Sequence, residues 1–281
     1  MWSFNAVQEA FDRYWDTGGN DLSYQFCRDP EDGRLKARRA AEQGFDILLV
    51  VGGDGTVNTT ASELVNTSTV LGVIPMGSGN GFARHFGIPL KPEEAAQTLT
   101  TADVHRIDVG MVNSRPFLVT CSMAWDAALV KSFERSPVRG VLPYVFAGVY
   151  EFLGYRPQEI TAELDSGEVL TFPDPVVFTI ANLTQYGGGA VISGDAQPDD
   201  GMLDLVVARR QDLPVLVANI HRLLKGSIAE LPRVVFRRFR SLTATRAHAA
   251  EIQIDGELVD APRELHVEAA PRCLNVLVPR P

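Results

Sequence analysis

The chain has 281 residues, of which 45% are hydrophobic and 22% are charged, and this length is enough for two domains with sizeable cores. Its net charge of −9 argues against a general nucleic-acid binder, because such proteins need a positive surface that replaces the phosphate counterions. No apolar run reaches the about 18 residues of a membrane span, and the N-terminal sequence MWSF lacks the basic-then-apolar pattern of a signal peptide. The composition therefore predicts a cytoplasmic protein with no nucleic-acid partner.

Residues 1–115 are predicted to form an α/β domain, because helix-like and strand-like patterns alternate along them. The helices are predicted over Ala6–Tyr14, Gly33–Gln43 and Pro92–Leu99, and the strands over Ile47–Val51 and Leu71–Ile74. The uninterrupted apolar run of the first strand predicts that it is buried on both faces, which is typical of a parallel sheet.

Each of these two strands runs into a glycine-rich loop. Parallel sheets bind ligands at the carboxyl ends of their strands, where a glycine backbone can approach a phosphate closely. We therefore predict that both loops lie side by side and form a phosphate cradle, with Arg84 as a charged fork. For the first loop alone, a tight turn with Asp54 or Thr56 as helix cap explains the residues about equally well. The loop residues are Gly52, Gly53, Asp54 and Gly55 in the first loop, and Gly77, Ser78, Gly79, Asn80 and Gly81 in the second.

Residues 116–271 are predicted to form a second, mostly antiparallel domain, because short strand-like runs follow one another with turn signals between them. Two helices are predicted within it, over Pro143–Leu153 and over Asp212–Gly226. The final apolar stretch Leu274–Val278 is long enough for a strand, so that residues 272–281 could return to either domain. The predicted strands are Phe117–Val119, Ile160–Leu164, Val176–Ile180, Leu203–Ala208, Glu251–Ile254 and Leu265–Glu268.

Six segments together resemble the diacylglycerol kinase catalytic-domain family, which includes bacterial lipid kinases, sphingosine kinases and ceramide kinases. They are GGDGTVN, IPMGSGNGFAR, RIDVGMVN, AWDAALVK, NLTQYGGGAVISGDAQPDDGMLDLVV and IQIDGELV, in the family's order from about residue 20 to the C-terminus. The resemblance implies an N-terminal α/β domain that binds ATP and a C-terminal antiparallel β-sandwich-like domain that holds lipid. It also implies transfer of the γ-phosphate to the hydroxyl of diacylglycerol, a sphingoid base or a similar lipid.

The resemblance implies which residues bind the nucleotide and Mg²⁺. Asp54 and Asp108 suit Mg²⁺, which prefers oxygen ligands, although helix capping and a strand-end turn are the structural alternatives. Asp200 with the carbonyls of Gln197 and Met202 matches a structural Mg²⁺ site of the bacterial enzymes, although these residues also fit an ordinary turn. The residues expected at ATP are Gly52, Gly53, Asp54, Gly55, Thr56, Val57, Asn58, Gly77, Ser78, Gly79, Asn80 and Arg84.

The segment IDGE near the C-terminus has two interpretations. From the residues alone, Asp-Gly between two strand-like runs is the signature of a two-residue hairpin turn. The resemblance instead matches Glu257 to the general base that takes the proton of the lipid hydroxyl, with Asp255 beside it. The predicted catalytic residues are thus Glu257, Asp255 and Asp54.

The sequence departs from the family pattern in four ways. The opening strand with its Asn-Pro-x-Ser-Gly loop is missing, so we expect either an upstream start or an incomplete nucleotide site. Gly81 replaces an Asp of the bacterial diacylglycerol kinases, Thr59 replaces a common Glu, and Cys27 replaces a Thr. A lipid- or nucleotide-binding regulator without activity is therefore an open alternative. An NAD kinase is a weaker one, since it shares GGDGT but neither GSGNGFAR nor DDGMLD.

Lipid and membrane contacts are predicted at two places. The aromatic segment Pro143–Tyr155 is a candidate entry for acyl chains, with ordinary core packing as the alternative. Four arginines (Arg233, Arg237, Arg238 and Arg240) could meet anionic headgroups at the inner face of the membrane, or could form a solvated loop. The sequence leaves open whether the chain forms a homodimer.

The three cysteines, Cys27, Cys121 and Cys273, are widely spaced and odd in number. This pattern indicates reduced thiols and no zinc site, with each cysteine as buried filler.

Overall fold

The computed structural model describes residues 4–15, 19–125, 127, 155–219 and 221–280. The chain divides into two compact units, and each includes more than one segment of sequence. The first unit comprises Met1–Asp108, Gly187–Gly189 and Pro271–Pro281, and the second comprises Val109–Tyr186 and Ala190–Ala270. The division falls at Asp108, a few residues before the expected residue 115, and the C-terminal residues belong to the first unit.

The first unit alternates helices and strands, as the sequence predicts. Its helix α5 has the predicted bounds, while α1 and α2 begin two or three residues earlier than predicted. The elements are α1 (Phe4–Tyr14), α2 (Pro30–Glu42), β1 (Ile47–Gly52), α3 (Asp54–Ala61), β2 (Val70–Pro75), α4 (Gly81–His85), α5 (Pro92–Leu99) and the first part of β3 (Asp103–Val112).

Three strands of the first unit, β1, β2 and the end of the last strand of the chain, pair in parallel, and β2 lies between the other two. β1 pairs with β2 in parallel from Ile47 and Val70 to Gly52 and Pro75, and Val276 near the C-terminus pairs in parallel with Leu71. β2 is buried almost throughout, as expected of a strand with neighbours on both sides.

The prediction that β1 is buried on both faces is wrong. Within β1 only Val50 is buried, and Val51 is 39% exposed. Among the described strands, β1 has β2 as its one neighbour and lies at the edge of the sheet. A strand with an apolar sequence is less covered there than a central strand, so composition alone overestimated its burial.

The second unit is a sandwich of antiparallel sheets. One is a six-stranded sheet with the order β12-β11-β8-β5-β14-β15, and in the facing layer β13 pairs with both β6 and β16. Its strands are the end of β3, β4 (Arg115–Phe117), β5 (Thr120–Ser122), β6 (Ile160–Leu164), β7 (Val169–Phe172), β8 (Pro175–Ala181), β9 (Gln185–Gly187), β10 (Ala190–Val191), β11 (Leu203–Arg209), β12 (Val235–Phe239), β13 (Ser241–Arg246), β14 (Ala250–Ile254), β15 (Glu257–Ala261) and the start of β16 (Glu264–Val278).

The core of the second unit lies between these two layers. Alternate residues of each strand point inward and pack in one cluster, for example Phe117, Ile160, Phe178, Phe239 and Leu242. An α/β N-terminal part with a C-terminal β-sandwich is the predicted fold class, which is confirmed.

The predicted strand Phe117–Val119 does not form as one strand. β4 ends at Phe117 and β5 begins at Thr120, because the N–H groups of Leu118, Val119 and Thr120 all donate to the carboxylate of Asp255. These donors are therefore not used in a continuous strand ladder.

The predicted helix Asp212–Gly226 is divided into shorter pieces. A 3₁₀ turn (Arg210–Asp212) leads into α6 (Leu213–Ala218), and α7 (His221–Lys225) follows. Gly226 ends α7 as predicted, with a φ of +69°, and the next N–H, of Ser227, donates to Arg222 O at 3.0 Å. The predicted helix Pro143–Leu153 lies outside the described residues, as does all of the aromatic segment except Tyr155.

All three cysteines are free thiols. Cys121 and Cys273 are buried as predicted, but Cys27 is exposed, so its prediction as buried filler is wrong. Within the described part of the chain, none of the helices has the length and apolar character needed to span a bilayer.

Candidate active site

The two glycine loops of the first unit lie directly against each other, as predicted. A Cβ atom placed on Gly77 would be 2.6 Å from the Cα of Gly53, and a Cβ on Gly53 would be 3.0 Å from the Cα of Gly77. The first distance is too short for any side chain, and the second would force the neighbouring backbone to shift by a few tenths of an ångström. The loops can therefore approach this closely only because both positions are glycine, which brings their backbone N–H groups to one place.

The second loop is held in shape by Asn80. Asn80 has a left-handed backbone with a φ of 49°, and its side chain both accepts from the N–H of Gly77 at 2.9 Å and donates to Gly77 O at 2.9 Å. These reciprocal hydrogen bonds close the loop directly before α4. Ser78, between the two glycines, is exposed.

Asp54 connects the first loop to the second. It is the first residue of α3, whose N-cap is Gly53 with no side-chain hydrogen bond, so neither Asp54 nor Thr56 caps the helix. The carboxylate of Asp54 instead accepts from the N–H of Phe82 at 3.3 Å. Thr56 is exposed, Val57 is buried, and Asn58 lies half-buried in the first two turns of α3.

Arg84 is held in place through its Nε atom. Nε donates to Gly79 O at 3.0 Å, and the side chain comes from α4, immediately after the second loop. Among the described residues, nothing forms a hydrogen bond or an ion pair with the terminal Nη1 and Nη2 groups. A half-buried guanidinium with free terminal donors suits the oxygens of a phosphate.

Asp108 is fully buried in the first unit. Its carboxylate accepts from the N–H of Arg272 at 2.7 Å, and Arg272 has a positive φ of 47°. This contact connects β3 to the middle of β16. Full burial and this backbone hydrogen bond favour the structural alternative for Asp108, and its binding of Mg²⁺ stays a prediction.

The described residues contain no group of three or more His, Cys, Asp and Glu side chains that could hold a metal ion. Mg²⁺, however, commonly binds proteins through one or two carboxylates and takes its remaining ligands from waters and nucleotide phosphates. Asp54 fits that requirement, because it is half-buried and receives a single long hydrogen bond from the described residues.

The segment around Asp200 is a tight turn before β11. Gly201 has a φ of +72°, and Asp200 accepts from the N–H of Met202 at 2.9 Å, while its other oxygen pairs with Arg238. Gln197 is exposed. The turn alternative describes this geometry, and the Mg²⁺ site of Asp200, Gln197 and Met202 stays a prediction.

Asp204 lies behind this turn and is almost completely buried. Burial raises the pKa of its carboxyl group, against the lowering effect of a 2.5 Å hydrogen bond from Ser193 Oγ and of the nearby Arg238 guanidinium.

The IDGE segment forms the two-residue hairpin between β14 and β15. Asp255 and Gly256 both have positive φ, 46° and 90°, as in a type I′ turn. Asp255 is 5% exposed and accepts from three backbone N–H groups at 2.6–2.9 Å. Glu257, the first residue of β15, is exposed, and its carboxylate has no hydrogen-bond partner among the described residues. The hairpin thus places one carboxylate in a structural contact and leaves the other accessible.

The basic patch predicted on the second unit is largely neutralised within the unit itself. Arg237 pairs with Glu168 through bonds of 2.9–3.1 Å, and Arg233 pairs with Asp212 at 3.3 Å. Arg238 pairs with Asp200 and with Asp204. Of the four arginines only Arg240 lacks an ion pair among the described residues, so the patch offers little free positive charge to anionic lipids.

A third glycine-rich element, Gly187–Gly189, belongs to the first unit and was not predicted as part of the site. The N–H of Gly188 donates to Gly79 O at 3.2 Å, the same carbonyl that accepts from Arg84. The run of three consecutive glycines is the sequence feature that could have indicated a part of the site, but the sequence alone does not show which loop these glycines contact.

Comparison with known proteins places this geometry in a family. The sequence model of the diacylglycerol kinase catalytic domain matches residues 4–112, and that of the YegS C-terminal NAD kinase beta sandwich-like domain matches residues 120–278. The chain therefore belongs to the diacylglycerol kinase catalytic-domain family of lipid kinases, as its motifs predict.

Relatives of known name agree with this assignment, and solved structures agree with the fold. The chain is 29% identical to a diacylglycerol kinase of Mycobacterium tuberculosis, over 90% of this chain and 83% of the relative. It is also 29% identical to a protein of Chromohalobacter salexigens named "Probable lipid kinase YegS-like", over 89% and 82% of the two chains. A crystal structure of a diacylglycerol kinase from Bacillus anthracis superposes with a TM-score of 0.76 at 20% identity, covering 98% of this chain and 92% of that one. The fold also resembles that of an NAD kinase from Archaeoglobus fulgidus, with a TM-score of 0.53 at 14% identity and coverages of 98% and 89%.

Proposed function

We propose that the protein is an ATP-dependent lipid kinase that transfers the γ-phosphate of ATP to a lipid hydroxyl, of diacylglycerol, a sphingoid base or a similar lipid. The observation that carries the proposal is the direct contact of the two glycine loops at Gly53 and Gly77. Such a contact has no evident use in a tight turn, but it concentrates backbone donors where a polyphosphate would bind.

The residues of the first unit suit the binding and orientation of ATP phosphates. The first N–H groups of α3 have no partner within the helix and carry the positive end of its dipole. Arg84 adds two terminal amino groups without a partner among the described residues, from α4 directly after the second loop. Phosphoryl transfer depends chiefly on such positioning and on neutralisation of charge.

Asp54 is the residue that would hold Mg²⁺ in this proposal. The ion would neutralise charge on the phosphate oxygens when it is bound. Asp54 also accepts from the N–H of Phe82, so the same carboxylate would connect the metal ion to the residues that follow the second loop. Asp108 and Asp200 have protein partners for their carboxylates and suit this role less well.

Glu257 is the proposed proton acceptor at the lipid hydroxyl. A carboxylate is too weak to deprotonate an alcohol in advance, but it can take the proton as the bond to phosphorus forms. Its exposure and its lack of a described partner leave it available for this step. The lipid would be held by the β-sandwich unit, with the protein in peripheral contact with the inner face of the membrane. A homodimer stays part of the proposal to be tested.

The test is transfer of radiolabel from γ-labelled ATP to a total lipid extract, followed by mass spectrometry of the product. We expect a labelled phospholipid whose formation needs Mg²⁺. The matched control is Asp54→Asn, which keeps the oxygen that accepts from Phe82 but loses the charge, and should lower the rate by roughly 100-fold or more at an unchanged melting temperature.

The alternatives give different results in the same experiment. If the protein binds ATP but transfers no label to any lipid, it is a regulator and not a kinase. Label transferred to NAD and not to lipid would indicate an NAD kinase, whose fold this chain also resembles. Full activity of Asp54→Asn would overturn the role of that carboxylate.

A further inference from the structure

The triple glycine Gly187–Gly189 forms the tip of a short hairpin. β9 and β10 pair as a separate two-stranded sheet, and the two residues between them, Gly188 and Gly189, have positive φ values of 62° and 90°. Residues with a side chain rarely adopt this conformation, and Asn and Asp tolerate it best. The turn is packed as part of the first unit, with the two glycine loops.

The tip of this hairpin and Arg84 bind the same atom. Gly79 O accepts from the N–H of Gly188 at 3.2 Å and from Nε of Arg84 at 3.0 Å. Two donors on one carbonyl fix the position of the second glycine loop and, through Nε, the direction of the guanidinium. Arg84 is thereby held beside the turn without an acidic partner among the described residues.

The second glycine of the turn leaves a space beside the free end of Arg84. A Cβ atom on Gly189 would be 3.6 Å from Nη1 of Arg84, and apart from the adjacent residues of the turn no other atom of the described residues lies within 4 Å of that position. Because glycine has no side chain, the area in front of Nη1 stays open. A longer side chain at this position would reach the terminal donors of Arg84.

We propose that the Gly188–Gly189 turn is a third side of the nucleotide phosphate site, and that it orients Arg84 and keeps its terminal amino groups open to a phosphate oxygen. This inference rests on the proposed function, since it assigns these residues to the ATP that a kinase binds. It adds a positioning element to the two loops that the GGDG and GSGN motifs supply.

The matched pair Gly189→Asp and Gly189→Asn tests the proposal, because both side chains have the same shape and accept positive φ. The aspartate would pair with Arg84 and compete with ATP phosphates, whereas the asparagine would only fill space. We expect the dissociation constant of ATP, measured by titration calorimetry on the full chain, to be about 10- to 100-fold higher for Gly189→Asp than for Gly189→Asn.

The same pair in an Arg84→Met background separates this role from a general effect on structure. There the difference between Asp and Asn should disappear, since no guanidinium remains to be paired. A difference that persists, or equal dissociation constants in the Arg84 background, would show that the turn does not act on ATP through Arg84. Inorganic triphosphate as the ligand should reproduce the effect if the phosphates alone are sensed.

Hydrogen exchange on the unmodified protein tests the proposal without any variant, should the variants fold poorly. Addition of ATP should slow amide exchange both in residues 77–81 and in residues 187–190. Slowing in the first segment alone would mean that ATP binds and that the turn does not face it, which overturns the inference but not the kinase. No ATP binding by the unmodified protein would instead overturn the proposed function.

Discussion

Asp255 and Glu257 show how two carboxylates two residues apart acquire different roles. Asp255 is almost fully buried and accepts from three backbone N–H groups, so its oxygens are occupied by the fold. Glu257 is exposed at the start of β15 and is free of such bonds among the described residues. We infer that Asp255 holds the hairpin in place, and that Glu257 is the group available for chemistry.

Glu257→Gln should therefore lower the transfer rate while leaving substrate binding close to normal. Glutamine has nearly the shape of glutamate but cannot take a proton, and a positioned general base contributes about 100- to 10,000-fold. The measurement is kcat and KM for ATP and for the lipid that proves to be the acceptor. Asp260→Asn, an exposed carboxylate of the same strand, is the control and should retain the full rate. Equal rates for the unmodified protein and Glu257→Gln would mean that another group takes the proton.

Asp255→Asn should destabilise the second unit. The amide has one oxygen in place of two and brings an NH₂ group toward backbone donors, so at least one of the N–H groups of residues 118–120 is left buried without a partner. We expect a loss of roughly 2–4 kcal/mol in the free energy of unfolding, measured by denaturant titration. The exposed Asp260→Asn should change stability by less than about 0.5 kcal/mol. If Asp255→Asn were as stable as the unmodified chain but inactive, Asp255 would have a chemical role after all.

At the scale of elements, the sequence predicted the helices and strands whose formation depends on a local residue pattern. Short apolar runs gave β1, β2, β6, β8 and β11, and helical periodicity gave α1, α2 and α5, because each pattern is written in the residues of the element itself. The contact of the two glycine loops was also predicted, since parallel strands bring their carboxyl ends to one edge.

The elements that were predicted wrongly depend on distant partners. Leu118 and Val119 leave the strand because their N–H groups bond to a side chain 137 and 136 residues away. The exposure of Val51 depends on where β1 lies in the sheet, and the arginine patch is neutralised by acids from distant segments, such as Glu168 before β7 for Arg237. No pattern within these segments carries that information.

The second glycine loop offers a test at this scale, through Asn80. Asn80→Gly removes the two hydrogen bonds to Gly77 but keeps a residue suited to positive φ, whereas Asn80→Ala removes the bonds and also strains the backbone. We expect Asn80→Ala to be less stable than Asn80→Gly by about 1 kcal/mol. Both should weaken ATP binding, because the loop is no longer closed. The measurements are denaturant unfolding and ATP titration. Unchanged ATP affinity in both variants would show that the loop shape does not matter for the nucleotide.

For the whole molecule, the charge distribution argues that the proposed membrane contact does not depend on a broad basic surface. The net charge is −9, and three of the four clustered arginines form ion pairs with acids of the same unit. A pair with both side chains exposed, such as Arg237–Glu168, contributes little to stability, but all three pairs reduce the charge available to anionic lipids. The affinity for vesicles should therefore depend more strongly on whether they contain the lipid substrate than on their content of anionic lipid.

The stability of the whole chain should fall in mild acid, and His85 is one identifiable cause. Burial in α4, where its ring packs edge-on against Phe86 at 4.7 Å, lowers the pKa of His85 to about 4 from an ordinary 6.5. The unfolded chain therefore binds a proton in the range between these values that the folded chain does not, so the free energy of unfolding decreases as the pH falls from about 6.5 toward 4. The contribution of this one group between pH 7 and pH 4.5 is roughly 1–3 kcal/mol.

Denaturant titrations at both pH values should show that His85→Gln loses less stability on acidification than the unmodified protein. His105→Gln, at an exposed position of β3, should lose as much as the unmodified protein. Parallel losses in all three proteins would mean that His85 is as accessible to protons in the folded chain as in the unfolded one.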